Sequence, residues 1–471
     1  MTLEYLDYTI VFLSLGSSIA IGVYYGFFNK SKTSEDYMFG NRQMKVLPIA
    51  ISLVASQINP LTIIGFPSEI FVFGITFGFH FIGMIFVVLI LIYLIIPIFY
   101  ENNITNCYDY IEKRFDRRTM IFLKTLFFIL GYLYIPVYSY ISSQALSFVT
   151  TGINVHLINT IVCSICVMYT MLGGLKAVVW TDVLQNFVMF FALLFITYIG
   201  VTEVGSFKET FSRASDIGIF EVNTNLDITS KNTIWNCFLS GVLLFTCLIG
   251  FNQSCVQRIV SLPTIKDSRK AIILFFIGFI ITVSIVCILA VVMAAFFNDC
   301  DPLKSGEINQ SDNILSYFVQ KLSINTRGIQ GMYMACVVCA SLSTISANIN
   351  SLSCTLYKDC IKPFIPNSKN NNLIPKIIAL LSGVFLICSG FVVEILNSTA
   401  IQIITTSLNL VFSTYASTFM LGFLAPRIHS RAMFLSNIVG FIVILGVIVK
   451  GQFFSGRVQY EPIEKTFSTD C

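Results

Sequence analysis

The chain has 471 residues, 55% of them hydrophobic and only 11% charged, with a formal net charge of +4 and a mean hydropathy of +0.80. A soluble domain carries roughly 25% charged residues, so this much apolar surface calls for lipid. The positive charge is spread through short loops with no basic cluster of the kind that binds nucleic acid.

The apolar runs are continuous rather than alternating, which predicts helices and not a barrel. A helix needs roughly 20 apolar residues to cross the hydrocarbon core. Twelve such spans are predicted, near 7–28, 47–75, 76–100, 119–150, 155–172, 176–202, 233–250, 269–298, 327–360, 373–394, 400–424 and 428–449. The first follows "MTLEYLDYTIVFL", which lacks the basic n-region and cleavage site of a signal peptide, and reads as a retained helix. Loop 29–46 carries Lys30, Lys32, Arg42 and Lys45, and loop 101–118 carries Lys113, Arg114, Arg117 and Arg118. Loop 251–268 and its flank carry Arg258, Lys266, Arg269 and Lys270, and Lys358, Lys362 and Lys369 follow the ninth span. If spans alternate, these four basic segments share one side, which is then cytosolic, and the amino terminus is extracellular. The long polar loops 203–232 and 299–326, the tail 450–471, and the sequons at Asn309 and Asn397 then face outside, where glycosylation is possible.

Cysteine and histidine usage argues against a metal enzyme. "CSIC" at Cys163–Cys166 and "CVVC" at Cys336–Cys339 have metal-like spacing, but they lie mid-span without a nearby histidine and read as small buried hydrophobes. The histidines are scattered at 80, 156 and 429, and Glu69 and Glu394 are each solitary. No paired carboxylates and no nucleophile–base pair stand inside the spans, so no catalytic residues are assigned.

Polar groups inside two spans carry the functional signal. The second span reads "LPIAISLVASQINPLTIIGFPSEIFVFG", interrupted by Pro60 and Pro67 with Gly65 between them. Pro60 has no N–H and clashes with the carbonyl four residues back, so carbonyls near Ala55 to Ile58 should be freed from the helix. Freed carbonyls at membrane depth need a polar partner, and Gln57, Asn59 and Thr62 stand at the same break. In the ninth span, "CASLSTISANINSLS" has eight Ser, Thr or Asn among fifteen residues. Ala340, Ser343, Thr344, Ala347, Asn348 and Ser351 make one stripe on a helix. Alone, the stripe serves equally well as a close-packing face, and a proline kink can be just a kink. Together, a broken helix and a hydroxyl-rich helix suit a small hard cation with oxygen ligands. Neutral oxygens suit a monovalent one, and broken helices are where many secondary transporters build their sites.

These residues fall in motifs that resemble the sodium/solute symporter family, in the branch of the iodide, multivitamin and monocarboxylate transporters. The motifs are "TSEDYMFGNRQM" at 33–44, "SLVASQINPLTIIGFPSEIFVFG" at 52–74, "GGLKAVVWTDVLQNFVM" at 173–189, "NQSCVQRIVS" at 252–261 and "LSTISANINSL" at 342–352. Their order along essentially the whole chain makes the resemblance specific. It implies an all-α polytopic membrane protein with a five-plus-five inverted repeat, spans two to six (47–202) and seven to eleven (233–424), preceded by one extra helix. It also implies a sodium site made by the carbonyls of Ala55, Ile58 and Ala340 and the hydroxyls of Ser343 and Thr344. Asp182 matches an aspartate on the ion's inward exit path; its alternative role is a salt bridge to Lys176 or Arg258. Solute-binding positions map to Gln57, Asn59, Thr62, Tyr134, Phe412 and Tyr415.

The chain departs from its branch in the pocket. Gln57 replaces an aromatic, Asn59 and Pro60 replace small residues, "FST" at 412–414 replaces a "GGP", and Leu248 stands where sugar-carrying relatives have an inner-gate aromatic. Relatives also continue into a further helix beyond the loop that resembles "STDC" at 468–471. The resemblance thus implies a plasma-membrane symporter that uses Na+ to import a small organic anion. The altered pocket leaves open a channel-like or solute-sensing protein on the same fold.

Overall fold

Each long apolar run forms a helix, because a backbone in lipid must satisfy its N–H and C=O groups internally. The computed structural model describes residues 3–31, 33–150, 152–227, 232–365, 373–395 and 397–450, without the side chains of residues 130, 394, 395, 397–407 and 409. Among the described residues there are helices and no strands. In chain order they are α1 (Tyr5–Phe28), α2 (Val46–Gln57), α3 (Leu61–Phe73), α4 (Ile75–Glu101), α5 (Arg117–Val149), α6 (Val155–Val204), α7 (Ile234–Gly250), α8 (Gln253–Ile259), α9 (Ile265–Phe296), α10 (Ile329–Leu356), α11 (Leu373–Ile395), α12 (Asn397–Leu424) and α13 (Ser430–Val449). Short helices at Ser34–Phe39 and Cys107–Arg114 lie in the basic loops, and Phe207–Asp216 and Ile314–Leu322 lie in the two long polar loops.

Helix starts follow their capping residues. The side chains of Asp116, Asn154, Thr233 and Thr264 accept from backbone N–H groups at the starts of α5, α6, α7 and α9, at 2.8, 2.8, 3.2 and 3.1 Å. Eight helices among the described residues are long and apolar enough to cross a membrane, or ten when each of two bent pairs counts as one crossing. The two bent pairs are α2–α3 and α7–α8, each turned by 60°.

The fifth and sixth predicted spans run together as α6, whose 50 residues reach about 75 Å at ~1.5 Å per residue. That is about two and a half times the hydrocarbon thickness of about 30 Å. The two arms meet at Gly174, whose φ of 60° and ψ of −151° are not helical. A Cβ there would meet the Tyr37 carbonyl oxygen and ring at 2.6 Å, so both conformation and contact require glycine.

The core is built around α10, which packs against α6, α1, α5, α11 and α2 and is buried along nearly its whole length. The helix α1 clamps its start: Asp7 Oδ1 accepts from the Gly331 N–H at 2.7 Å. By contrast α13 is peripheral, resting on α12 and α5, with only 11% of its apolar window buried. The predicted tail beyond Lys450, and Lys369, lie outside the described residues.

Candidate functional site

The helix α2 stops at Gln57 because Pro60 has no N–H for the Ser56 carbonyl. Ile58 leaves helical geometry at φ −84°, ψ 80°, and the chain resumes as α3 through one wide turn at Leu61–Gly65. The gap closes locally. Thr62 N donates to Asn59 Oδ1 at 3.0 Å, and Thr62 Oγ1 stands 3.3 Å from the Gln57 carbonyl and 3.2 Å from Asn59 Oδ1.

The hydroxyls of α10 meet the end of α2. Ser343 Oγ lies 2.9 Å from the Ala55 carbonyl oxygen and 3.1 Å from that of Ala340, with one proton shared between them. Thr344 Oγ1 lies 3.0 Å from the Ala340 carbonyl and 3.5 Å from that of Ser56. Three carbonyls and two hydroxyls, all buried and uncharged, therefore converge. That donor set suits a monovalent hard cation and lacks the carboxylates a divalent ion takes. Four of the five sequence-derived ligands (Ala55, Ala340, Ser343 and Thr344) come together here. Ile58 is buried at the break but is not among these contacts; the Ser56 carbonyl, within the stretch that the proline is expected to free, stands here although it is not among the ligands that the resemblance implies.

A second break faces the first. The helix α7 ends at Gly250, and Asn252 caps the short α8 by accepting from Ser254 N at 2.9 Å. No proline marks this bend: the predicted span ends at 250 and a basic loop is predicted at 251–268, where the structure has the buried helix α8; the local clue is a glycine followed by a capping asparagine. The buried polar side chains of α8 tie down several elements. Gln253 Oε1 accepts from Cys107 N at 3.0 Å, and Gln257 Nε2 donates to the Met38 carbonyl at 2.5 Å. Arg258 reaches Asp182 Oδ2 at 3.0 Å and the Ser52 carbonyl at 3.3 Å.

Asp182 also accepts from Ser52 Oγ at 2.7 Å, so it links α6, α8 and α2. Of the two basic partners considered for it, Arg258 is the one in contact, while Lys176 pairs with Asp36 at 2.7 Å. The other carboxylate oxygen, Oδ1, is buried without a hydrogen-bond partner among the described residues.

Between the two breaks lies a cavity of ≈ 60 Å³, lined by Ser56, Gln57, Asn59, Phe127, Gly131, Tyr134, Ile135, Tyr138, Cys247, Leu248, Asn252, Ser254, Thr344, Asn348, Leu408, Phe412 and Tyr415. Five of the six sequence-derived solute positions are on this wall. Thr62 is not, since its hydroxyl closes the break instead. Tyr138, Asn252, Ser254 and Asn348 were not assigned to the solute, although Tyr138 is one turn from Tyr134 and Asn348 one turn from Thr344. Asn59 Nδ2 donates to Tyr138 Oη at 3.3 Å, and the Tyr134 and Tyr138 rings meet edge-on at 4.2 Å. Tyr415 Oη donates to the Leu123 carbonyl at 2.8 Å. No charged side chain is among the described lining residues. Thr344 and Ser56 belong to both the oxygen cluster and the cavity wall. Asn309 is exposed in its loop, and the side chain of Asn397 lies outside the described residues.

Residues 37–440 match the model of the Sodium:solute symporter family. The chain is 32% identical over 385 residues to sodium-coupled monocarboxylate transporter 2 of Mus musculus, covering 81% of this chain and 62% of that protein. It is 33% identical over 395 residues to the sodium-dependent multivitamin transporter of Oryctolagus cuniculus, covering 83% of this chain and 61% of that protein. The chain thus spans under two thirds of the length of these relatives. The fold is shared with a Na+-coupled sialic acid symporter solved in a substrate-bound outward-open state, with a TM-score of 0.83 at 22% identity, covering 96% of this chain and 92% of that one. The match is to transporters and not to enzymes, and the chain belongs to the sodium:solute symporter family.

Proposed function

We propose that this chain is a sodium-coupled symporter that imports a small organic anion, monocarboxylate- or vitamin-like, by alternating access across the plasma membrane. The observation that carries the reading is Thr344, which touches the freed end of α2 and also walls the cavity. Sodium held by the Ala55, Ile58 and Ala340 carbonyls and the Ser343 and Thr344 hydroxyls would fix the spacing of α2 and α10 and so shape the cavity. Because no fixed charge is among the described lining residues, the ion itself supplies the positive charge that an anion needs. Coupling then follows from linkage: each ligand raises the other's affinity by the same factor.

The names of the relatives, for monocarboxylates and for vitamins, support a small anion. The ten core spans would form two inverted repeats, 47–202 and 233–424, with the amino terminus outside and Asn309 open to glycosylation. Asp182, with its unpartnered Oδ1, is the proposed stop on the ion's way inward. The membrane potential contributes about 2.3 kcal/mol per charge per 100 mV to inward transport. The test is uptake of radiolabelled lactate, nicotinate and biotin into proteoliposomes, with external sodium exchanged for choline. Uptake of at least one solute should collapse in choline; equal uptake in both media removes the coupling.

A further inference from the structure

On the face that carries the basic loops, many cationic side chains are engaged. Lys124 pairs with Asp359 and Lys358 with Asp109, each at 2.8 Å, and Arg114 donates to the carbonyls of Gly422 and Ala425 at 3.1 and 2.9 Å. Arg117, Arg118, Arg427 and Arg431 are different. All four are exposed, and among the described residues none makes an ion pair or a side-chain hydrogen bond. Arg117 and Arg118 open α5, while Arg427 and Arg431 flank the start of α13. The two segments are held together, because Ser430 Oγ donates to the Phe115 carbonyl at 2.9 Å. The acid within this group, Asp116, is occupied as the cap of α5, accepting from Thr119 N at 2.8 Å. Four guanidinium groups thus stand within three residues of the Ser430–Phe115 contact, with no anionic partner among the described residues.

The surroundings indicate which anion. Directly beyond the arginines both helices turn apolar and outward-facing: Ile121 is 51% exposed on α5, and Leu435, Val439 and Ile442 are 59–60% exposed on α13. The seam between the helices is aromatic, with Phe122 meeting Phe434 at 6.4 Å and Phe441 at 6.1 Å. A cationic rim at the mouth of an apolar seam complements a molecule with an anionic head and a hydrocarbon tail. Guanidinium binds phosphate oxygens in pairs, which ammonium does not.

We propose that Arg117, Arg118, Arg427 and Arg431 form a binding site for the headgroup of an acidic phospholipid, with an acyl chain lying along the α5–α13 seam. The site needs the chain to lie in a bilayer but not to couple sodium, so the two proposals fail separately. Each basic residue at a membrane surface gives about a fivefold preference for acidic lipid. A zwitterionic lipid offers a phosphate cancelled by its own cation, and inorganic phosphate has no tail for the seam.

The experiment is binding of fluorescent phosphatidylglycerol to the full chain in neutral detergent, with phosphatidylcholine and inorganic phosphate as competitors. Phosphatidylglycerol should bind at least tenfold tighter than phosphatidylcholine. The Arg117→Gln/Arg118→Gln/Arg427→Gln/Arg431→Gln variant should lose that preference, the same four changed to Lys should keep only part of it because ammonium cannot pair with two phosphate oxygens, and Arg327→Gln in another loop should change nothing. Equal binding of the two lipids, or an unaltered preference in the Gln variant, overturns the site. Full displacement by millimolar inorganic phosphate overturns it too, because the ligand would then be a soluble anion.

Discussion

Two helices break opposite each other, both by 60°, and they do so by different chemistry. At α2–α3 the agent is Pro60, which strands a carbonyl and leaves backbone oxygen as the functional surface. At α7–α8 the agent is the end of a glycine-terminated helix and the Asn252 cap, and the functional surface is side chains. The first break gives oxygens to α10 and suits an ion; the second gives Asn252 and Ser254 to the cavity, roots α8 in the basic loops through Gln253 and Gln257, and ties it to α6 and α2 through Arg258. On this division, changes to the backbone of the first break should alter sodium dependence, and changes to the side chains of the second should alter solute binding or the fold.

The largest effect is expected at the root of the second break. Arg258→Gln leaves Asp182 buried without its cation, which should cost about 3–5 kcal/mol and appear as a steep fall in the thermal unfolding midpoint in detergent. At the first break, Pro60→Ala returns an N–H that can recapture the Ser56 carbonyl and rewind the break that frees the neighbouring Ala55 and Ile58 carbonyls. The half-saturating sodium concentration for uptake should rise roughly tenfold, the equivalent of one charge-assisted contact, with little change in stability. A fall in stability with unchanged sodium dependence would break the comparison. Asn252→Ala removes a cap worth about 1 kcal/mol and a cavity wall residue; the solute KM should rise while sodium binding in the absence of solute stays put. The smallest effect is expected for Tyr138→Phe, which deprives the Asn59 amide of its acceptor at the cavity edge. About threefold in solute KM is the scale of one neutral hydrogen bond, with no change in the sodium requirement.

The same contrast explains what could be read in advance. Pro60 announces its break in any sequence, because a missing N–H acts locally, and the stripe through Ser343 and Thr344 shows at helical spacing. The bend after Gly250 depends on one capping side chain and on tertiary anchors such as Gln253 to Cys107, 146 residues away in the chain, and no local pattern encodes those. The joining of the fifth and sixth spans likewise depends on Tyr37 packing against Gly174. In the cavity, Gln57, Asn59, Tyr134, Phe412 and Tyr415 follow from the family resemblance, whereas Asn252 and Ser254, though inside the motif at 252–261, carry no solute assignment there, since their position on the wall exists only after α7 bends. Thr62 illustrates the reverse error: a polar residue at a break can be consumed in closing it.

The central claim is that Ser343 and Thr344 complete an ion cage with the freed end of α2. Binding of radiolabelled sodium to the purified chain without solute, wild type against Ser343→Ala/Thr344→Ala, tests it most directly. Loss of two neutral hydrogen-bonding ligands should weaken binding at least about tenfold while the thermal midpoint without sodium stays near that of the wild type. Saturable sodium binding of undiminished affinity in a folded double variant would contradict the account.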